Sequence, residues 1–467
     1  MSDNIVEQLD YIFKPQSIAF IGASNDLRKW GGRVLNRAIH SDYRGALYPV
    51  NPKEKKVLKL PSYADVRKIP GPVDLAVFTV PAVHMPAVMK DCIEKGIRGG
   101  IVISADFAET GEKGRALEQE TLRIAREGNM RFVGPNCNGI WSGVVGLNTT
   151  PDEHKMSGPV GFITQSGSFG FAATKQINAR GFGFSKMISI GNQGDLTATD
   201  YLEYLWHDEE TKVIAMYMEG FKDGRRFIDM AKKVVKHKPI LILKGGRSAV
   251  GARATMSHTA SIAGSDEVFD AVCRQTGLIR VHQLEHLFIM AEALFSQPVA
   301  RGKKIAIVGN GGQGVLGSDN LMALGMEIPE FSKDDQLRLK SVLPPHAPMP
   351  RNPVDFAAGG IGTIGEMRVI ETLASFDCVD AIFTNVPVAR SFKATLAERK
   401  MEIINAVQSF AQIPATYGKP VICKSFTAAG DVDEILNEAR IPSFTGIESC
   451  TLAMSALVQY GEIKRRS

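Results

Sequence analysis

The sequence predicts an α/β protein built from parallel sheets with helices on both faces. Short apolar runs alternate with stretches of helical periodicity along most of the chain, which is the pattern of doubly wound sheets. The length of 467 residues corresponds to about three domains at the usual ~150 residues each. In three places a strand pattern runs into a small-residue turn and then a helix, which is how nucleotide and anion sites begin.

Composition excludes several classes of protein. With 44% hydrophobic and 22% charged residues the chain is ordinary for a globular protein, and its net charge of +5 is too small to indicate nucleic-acid binding. The nine histidines show no metal spacing, and the six cysteines are far apart, which indicates reduced thiols. No signal peptide or membrane-length apolar run is present. We therefore expect a cytoplasmic protein with no nucleic-acid, membrane or metal partner.

The first unit opens with an apolar strand at Ser17–Ile21, a turn at Gly22–Asp26 and a helix after Gly31. This order begins a nucleotide-binding βαβ unit, although the glycines do not form a clean G-x-G-x-x-G pattern. Further strands are predicted at 46–50, 73–80, 99–103 and 131–133. Ligands of such sheets bind at the carboxyl ends of the strands. The turns on that edge are Gly22–Asp26, Thr79–Ala82, Ser104–Phe107 and Gly134–Asn138.

The end of the second strand indicates which nucleotide binds. An NAD site would place a carboxylate there for the ribose hydroxyls. This chain instead has Asn51, followed by Lys53, Lys55 and Lys56. Cations suit a nucleotide that carries an extra phosphate, which points to coenzyme A or NADP. A solvated turn is the alternative for this segment taken alone.

The second unit follows a polar, turn-rich stretch at 148–159 that is predicted to be a linker. A strand at 160–164 leads into a helix that starts within Gln165–Gly170 and ends near Arg180. Ser166 or Ser168 is expected to cap this helix. Free backbone amides and the helix dipole make such a start an anion site, with a plain N-cap as the alternative.

Glu219 follows a predicted strand at Val213–Met218, and another strand is predicted at 186–190. A carboxylate at a strand's carboxyl end is well placed to orient an imidazole. The alternative is a solvated glutamate that begins a helix.

A long loop follows the strand at 239–243. Roughly twenty residues, rich in Gly, Ala, Ser and Thr, separate it from the next helix, at 266–275, whereas strand-to-helix loops usually have ~2–6. His258 lies near the far end of this loop among Ser, Thr and Ala. Such a loop is able to carry an imidazole between two places, or it is a mobile surface loop with an incidental histidine.

The third unit repeats the strand–glycine–helix order. A strand at 304–308 precedes Gly311, Gly312 and Gly314, and a helix is predicted at 315–324. This is a second candidate anion site, with a tight packing turn as the alternative. Strands are also predicted at 381–384 and 421–424.

Several separate segments resemble the NDP-forming acyl-CoA synthetases, in the branch of the ADP-forming acetate–CoA ligases, which are relatives of succinyl-CoA synthetase. SHTASIAGSD, around His258, is similar to that family's phosphohistidine loop, and QSGS to its phosphate-binding helix start. GASND, FTVPA and GPNCNG resemble its CoA-binding segments, NPK its adenosine-phosphate side, and NPVD also matches. The resemblance covers nearly the whole chain.

The resemblance implies a fold and an assignment of site residues. The fold is a Rossmann-like CoA-binding domain at 1–148, followed by two flavodoxin-like domains of the succinyl-CoA synthetase type at 149–297 and 298–467. His258 is the implied catalytic residue, and Glu219 orients it. The residues implied to bind phosphate are Gln165, Ser166, Gly167, Ser168, Gly311, Gly312 and Gly314. The residues implied to bind coenzyme A are Gly22, Ala23, Ser24, Asn25, Lys53, Val80, Pro81, Ala82 and Asn136.

The family also requires an ATP-grasp module, for which this chain shows no segment. The sequence is therefore expected to be the α subunit of an ADP-forming acyl-CoA synthetase that uses coenzyme A and a small carboxylic acid. An ATP-grasp β subunit, in an α2β2 heterotetramer, would bind ADP or ATP with Mg²⁺. The alternative from another class is a non-catalytic CoA-binding or regulatory protein of the same fold. An NAD(P) oxidoreductase is disfavoured by the Asn51–Lys53 ending.

Overall fold

Parallel sheets form the framework of the chain, as the alternating pattern predicts. The computed structural model describes residues 4–154, 156–251, 253, 265–309, 311–356, 362–386, 405, 407–425, 436 and 438–466. The chain divides into two units, Met1–Leu284 and Glu285–Ser467. Two large sheets lie in the first unit and a smaller one lies in the second.

The first sheet is wholly parallel, with five strands in the order β2-β1-β5-β6-β7, and a small hairpin (β3 and β4) follows β2. Ile21 pairs with both Val50 and Phe78, so neighbouring strands end at one edge. The strands are β1 (Ser17–Ile21), β2 (Ala46–Val50), β3 (Lys56–Val57), β4 (Leu60–Pro61), β5 (Leu75–Phe78), β6 (Gly99–Val102) and β7 (Arg131–Val133). The helices are α1 (Ile5–Phe13), α2 (Trp30–Ile39), α3 (Met85–Glu94) and α4 (Glu112–Glu127).

The second sheet has seven strands in the order β14-β13-β12-β10-β11-β8-β9. Its first five are parallel, whereas β8 and β9 form an antiparallel margin. The strands are β8 (Ile140–Ser142), β9 (Leu147–Asn148), β10 (Ser157–Thr164), β11 (Phe184–Ser189), β12 (Val213–Met218), β13 (Ile240–Lys244) and β14 (Ile279–Val281). The helices are α5 (Gly167–Ala179), α6 (Ala198–His207), α7 (Gly224–Val234) and α8 (Asp266–Thr276). The next helix, α9 (Leu284–Ser296), belongs to the second unit from Glu285 onward.

The sheet of the second unit is parallel, with four strands in chain order. The strands are β15 (Ile305–Val308), β16 (Ala381–Asn385), β17 (Val421–Lys424) and β18 (Ser443–Phe444). The helices are α10 (Gly312–Ala323), α11 (Lys333–Val342), α12 (Gly362–Ala374) and α13 (Ile447–Arg466). Across the described helices, none combines the length and apolar character that crossing a membrane requires.

The stretch at 148–159 is not the solvated linker that its composition predicts. Thr149 and Thr150 are buried, and the Asn148 side chain accepts from the Thr150 N–H and donates to the Asp152 carbonyl. Polar residues that bond one another in this way do not need solvent. Strands β8 and β9 also belong to the second sheet although they precede this stretch. The predicted domain boundaries at 148/149 and 297/298 remain predictions.

Helix α1 has no counterpart among the sequence predictions. Asn4 caps it by accepting from the Val6 N–H, and Leu9, Ile12 and Phe13 form its buried face. Phe13 stacks on Tyr204, with ring centroids 4.6 Å apart. Three buried residues in nine are a weak periodic signal, because tertiary packing rather than propensity stabilises so short a helix.

Candidate active site

The turn after β1 depends on glycine. Gly22 has a φ of +91°, and a Cβ built on it would lie 2.9 Å from the Thr79 hydroxyl. A Cβ on Gly31 would lie 2.1 Å from the Gly22 carbonyl oxygen. Only glycine at both positions lets α2 start against the turn, which is the role glycines have in nucleotide-binding βαβ units.

Side-chain amides hold this turn in place. The Asn51 Nδ2 donates to the Ala23 carbonyl at 2.8 Å. The Asn25 side chain donates to the Lys56 carbonyl at 3.1 Å and accepts from the Leu58 N–H at 2.9 Å. Asn25, predicted to contact coenzyme A, therefore joins the turn to the β3–β4 hairpin. Lys56 of the hairpin therefore lies at the same edge of the sheet as the turn.

Three exposed lysines follow β2. Lys53, Lys55 and Lys56 are all exposed, and the Lys53 N–H donates to Asn51 Oδ1 at 2.9 Å. Their ammonium groups are available to an anion in solution. The predicted role of Lys53 in binding coenzyme A remains a prediction.

The remaining predicted CoA residues lie along the same edge. The Ser104 hydroxyl donates to the Val80 carbonyl at 2.6 Å, and the Asn136 N–H donates to the Ser104 carbonyl at 2.9 Å. Asn136 has a φ of +55°, a conformation that asparagine tolerates. Pro81 is exposed and Ala82 is buried beneath it. The ends of β5, β6 and β7 are thus linked by hydrogen bonds.

The first sheet's edge is joined to the second sheet through the turn after β11. The Asn192 and Gly194 N–H groups donate to the Pro135 and Gly134 carbonyls, each at 2.9 Å. The Asn136 Nδ2 donates to Asn192 Oδ1 at 3.3 Å. Asn192 also donates to the carboxylates of Glu109 and Glu118. A predicted CoA residue is thereby fixed by a side chain from the second sheet.

The start of α5 lies beside this junction. Ser166 caps the helix by accepting from the Phe169 N–H at 3.4 Å, and its hydroxyl lies 3.1 Å from that of Ser168. A Cβ on Gly167 would lie 2.2 Å from the Asn138 Nδ2. The expectation that Ser166 or Ser168 caps α5 is confirmed for Ser166. Two hydroxyls and the first amides of the helix make an arrangement suited to an oxyanion.

Gln165 contacts the polypeptide backbone rather than open solvent. The residue is 6% exposed, and its Oε1 accepts from the N–H groups of Glu219 and Gly220 at 2.9 and 3.0 Å. The Gln193 Nε2 donates to the Gly220 carbonyl at 3.3 Å. Two glutamines therefore hold the turn that carries Glu219. The predicted phosphate contact of Gln165 remains a prediction, and its visible contacts position Glu219.

Glu219 itself lies at the carboxyl end of β12 and is 8% exposed. Its Oε1 accepts from the Tyr217 hydroxyl at 3.3 Å. Burial, and then the charge of Glu219, raise the pKa of Tyr217 well above its ordinary value. The tyrosine therefore stays protonated and donates.

His258 lies outside the described residues, but both ends of its loop are seen. At the first end the Gly245 N–H donates to the Met218 carbonyl at 2.9 Å, next to Glu219. Residues 249–251 are helical, where a loop is predicted. At the far end the Arg280 guanidinium donates to Asp266, which begins α8, at 2.5 Å.

The glycine turn of the second unit is already bonded to a carboxylate. Gly311, with a φ of +57°, donates its N–H to Asp355 Oδ2 at 3.1 Å. The segment before Asp355 lies along β15, where Val354 donates to Ile307 and accepts from Gly309. A Cβ on Gly311 or Gly312 would meet none of the described residues within 4 Å. The first amide of this turn already binds an anionic group of the protein.

Two contributors were not singled out from the sequence, Tyr217 and Asn192, and Asp355 was noted only as part of the NPVD match. The sequence contained a signal for Tyr217, because it precedes Glu219 by two positions. Side chains two positions apart in a strand point to the same side of the sheet. No comparable signal existed for Asn192, which bonds residues more than 50 positions away.

Comparison with known proteins identifies the family. A family profile described as a CoA binding domain matches residues 16–142, and one described as a succinyl-CoA ligase like flavodoxin domain matches 157–294. The α subunit of acetate–CoA ligase [ADP-forming] II from Pyrococcus furiosus is 39% identical, over 97% of this chain and 97% of that protein. Acetate–CoA ligase [ADP-forming] II from Archaeoglobus fulgidus is 34% identical, over 99% of this chain and 68% of that protein.

A solved structure is similar over nearly the whole length. It is a dinucleotide-forming acetyl-coenzyme A synthetase 1 from Candidatus Korarchaeum cryptofilum, in complex with phosphate and ADP. It matches with a TM-score of 0.85 at 31% identity, over 98% of this chain and 97% of that one. The predicted fold class is thereby confirmed. This chain belongs to the ADP-forming acetate–CoA ligase family, the acyl-CoA synthetases related to succinyl-CoA synthetase.

Proposed function

We propose that this chain is the α subunit of an ADP-forming acyl-CoA synthetase that transfers phosphate through His258. The observation that carries the proposal is the position of Glu219. It is buried at the end of β12, fixed by Gln165, next to the residue where the His258 loop begins. A carboxylate in that place is able to accept the N–H of an imidazole and fix its tautomer.

The proposed reaction has three reversible steps. Phosphate attacks the thioester carbon of acyl-CoA, the C–S bond breaks, and acyl phosphate and CoA result. The neutral His258 nitrogen then attacks the phosphorus, and the carboxylic acid leaves as its carboxylate. Finally ADP takes the phosphoryl group from His258 to give ATP. Covalent capture divides one difficult transfer into two easier ones.

The start of α5 supplies the first phosphate position. The hydroxyls of Ser166 and Ser168 and the first amides of the helix favour a dianion, and the helix dipole adds to this. Contact between Gly167 and Asn138 brings this position to the turns that are predicted to bind CoA. Thioester, phosphate and Glu219 would then share one edge of the first unit.

Coenzyme A is the proposed cosubstrate at the edge formed by Gly22, Val80 and Asn136. The exposed lysines after β2 support this assignment, since they suit its 3′-phosphate. Calorimetry with CoA and dephospho-CoA tests it. Dephospho-CoA should bind about 10-fold more weakly, as one charge-assisted contact is lost. Equal affinities would refute the role of the lysines.

A separate ATP-grasp β subunit is proposed to bind ADP or ATP and Mg²⁺, in a cytoplasmic α2β2 complex. Support comes from the relatives: the Pyrococcus furiosus protein is named as an α subunit, and the longer Archaeoglobus fulgidus chain is named as the ligase without a subunit designation. The Gly311–Gly314 turn is proposed as the phosphate position nearer the nucleotide.

Phosphate labelling tests the proposal. The complex with its β subunit is incubated with ATP labelled at the γ-phosphate, and the adduct is expected to be acid-labile and alkali-stable. His258→Ala should abolish the label, and Glu219→Gln should slow labelling by roughly 10–100-fold. His237→Ala is the control, since this exposed histidine lies in the same unit. Full labelling of His258→Ala would refute the proposal and favour a non-catalytic CoA-binding protein.

A further inference from the structure

Tyr217 lies where three parts of the candidate site meet. It is the last residue but one of β12 and precedes Glu219 by two positions, so both side chains leave the strand on one side. Its hydroxyl donates to Glu219 Oε1 at 3.3 Å. The hydrogen bond restrains the Glu219 carboxylate.

Two other elements hold the tyrosine ring. Phe169, in the first turn of α5, stacks on it with centroids 3.8 Å apart and planes 13° from parallel. At the first residue after β13, a Cβ on Gly245 would lie 2.6 Å from the Tyr217 hydroxyl and 3.3 Å from Glu219 Cγ. The helix start, the glutamate and the beginning of the His258 loop therefore all touch one phenol.

We propose that Tyr217 is a positioning residue for phosphoryl transfer, which holds the Glu219 carboxylate in register with the start of α5 and with the beginning of the loop. This inference rests on the function proposed above. A phenylalanine would fill the same space and keep the stack on Phe169. The presence of the hydroxyl, together with its bond to Glu219, is what separates positioning from simple packing.

Tyr217→Phe is the variant that tests the inference. It should slow formation of phospho-His258 by about 10-fold, the lower end for loss of an orienting partner. It should also move the acidic limb of the rate–pH profile up by about half a unit. Without the hydrogen bond from Tyr217, the Glu219 carboxylate binds a proton more tightly, so its pKa rises. It also stabilises a neighbouring imidazolium more strongly, which raises the pKa of that imidazole. Both effects move the acidic limb to higher pH.

Tyr204→Phe is the matched control. The Tyr204 hydroxyl donates to Asp10 at 2.8 Å in the same unit, so this variant also removes a tyrosine–carboxylate bond. It should leave the labelling rate and the acidic limb unchanged. Phe169→Leu, which keeps the tyrosine hydroxyl and removes the stack, should slow labelling without moving the acidic limb.

The outcomes separate the two proposals. Persistent labelling of His258→Ala refutes the proposed function. Loss of label in His258→Ala, with Tyr217→Phe indistinguishable from Tyr204→Phe, refutes only the role of Tyr217. A slower Tyr217→Phe whose acidic limb does not move also refutes it, because a packing defect alone would give that result. The melting temperature of each variant, measured on the same complex, shows that the chain is folded.

Discussion

The two helix starts that the sequence marks as anion sites differ in how they are built. At α5, Ser166 caps the helix, Gly167 lies against Asn138, and Gln165 is bonded to the turn of Glu219. At α10, no described residue comes within 4 Å of a Cβ built on Gly311 or Gly312, and Asp355 is bonded to the Gly311 amide. In the part of the chain that the structure describes, one start is braced by neighbouring side chains, and the other carries an anionic group of the protein.

The difference suggests different tasks for the two sites. A braced start holds a phosphate in one fixed geometry, which suits the chemical step. A start that already binds a carboxylate would exchange one anion for another, so we expect an arriving phosphate to displace Asp355. On this proposal the same strand–turn–helix pattern gives a rigid site in one unit and an exchangeable one in the other.

Alanine at the two glycines gives the largest predicted contrast. Gly167→Ala places a methyl group 2.2 Å from the Asn138 amide, and overpacking of this kind costs about 2 kcal/mol. Displacement of the helix start should also slow His258 labelling by about 100-fold. Gly312→Ala would meet none of the described residues within 4 Å and should leave stability nearly unchanged. Equal effects at the two positions would show that the starts are not built differently.

Neutralising Asp355 tests whether the second site works by exchange. Asp355→Asn removes the competing charge at the Gly311 amide, so discharge of the labelled enzyme by ADP should become faster by roughly 10-fold. Labelling from acyl phosphate should not change. The control is Asp380→Asn, because the Asp380 carboxylate also accepts a backbone N–H, that of Lys304, in the same unit. Slower discharge in Asp355→Asn would mean that Asp355 assists the transfer.

The sequence predicted the central strands of the sheets better than the strands at the sheet margins. Strands such as β1, β12 and β17 are continuous apolar runs, because parallel strands are covered on both faces, and their ends were predicted as observed. The short β8 and β9 were missed. The polar residues at 148–152 resembled a linker because a sequence does not show that they bond one another.

The same limit applies to the candidate site. The position of Glu219 follows from the rule that ligands lie at strand ends, so it was predicted from one segment. The contacts of Gln165 with Glu219 and of Gly311 with Asp355 join residues 54 and 44 positions apart. Their pairing depends on the register of strands and turns, which local periodicity does not specify.

The last prediction concerns pH. It separates acid inactivation of the site at the start of α5 from acid unfolding of the first unit, which carries that site. His154 stacks on Trp141 of β8, with centroids 4.8 Å apart, and lies 3.2 Å from the Thr150 hydroxyl. Burial, with a contribution from Arg37, lowers the pKa of His154 to about 3, against an ordinary value of 6.5. Between these values the unfolded chain binds more protons than the folded one. Stability is therefore complete above about pH 6.5 and falls as the pH decreases towards 3.

His154→Phe keeps a ring stacked on Trp141 and does not titrate. The variant should therefore lose less stability than the wild type as the pH falls. The difference between wild type and variant isolates the histidine from the carboxylates that titrate in the same range. Denaturant unfolding at pH 7.5 and pH 4.5 should show the wild type losing about 2–3 kcal/mol more than the variant, roughly 1.4 kcal/mol for each of the two pH units below 6.5. The exposed His237→Gln should behave as the wild type. If His154→Phe loses as much stability as the wild type, His154 is solvated in the folded protein. Loss of activity in acid would then be assigned to the residues of the candidate site rather than to unfolding.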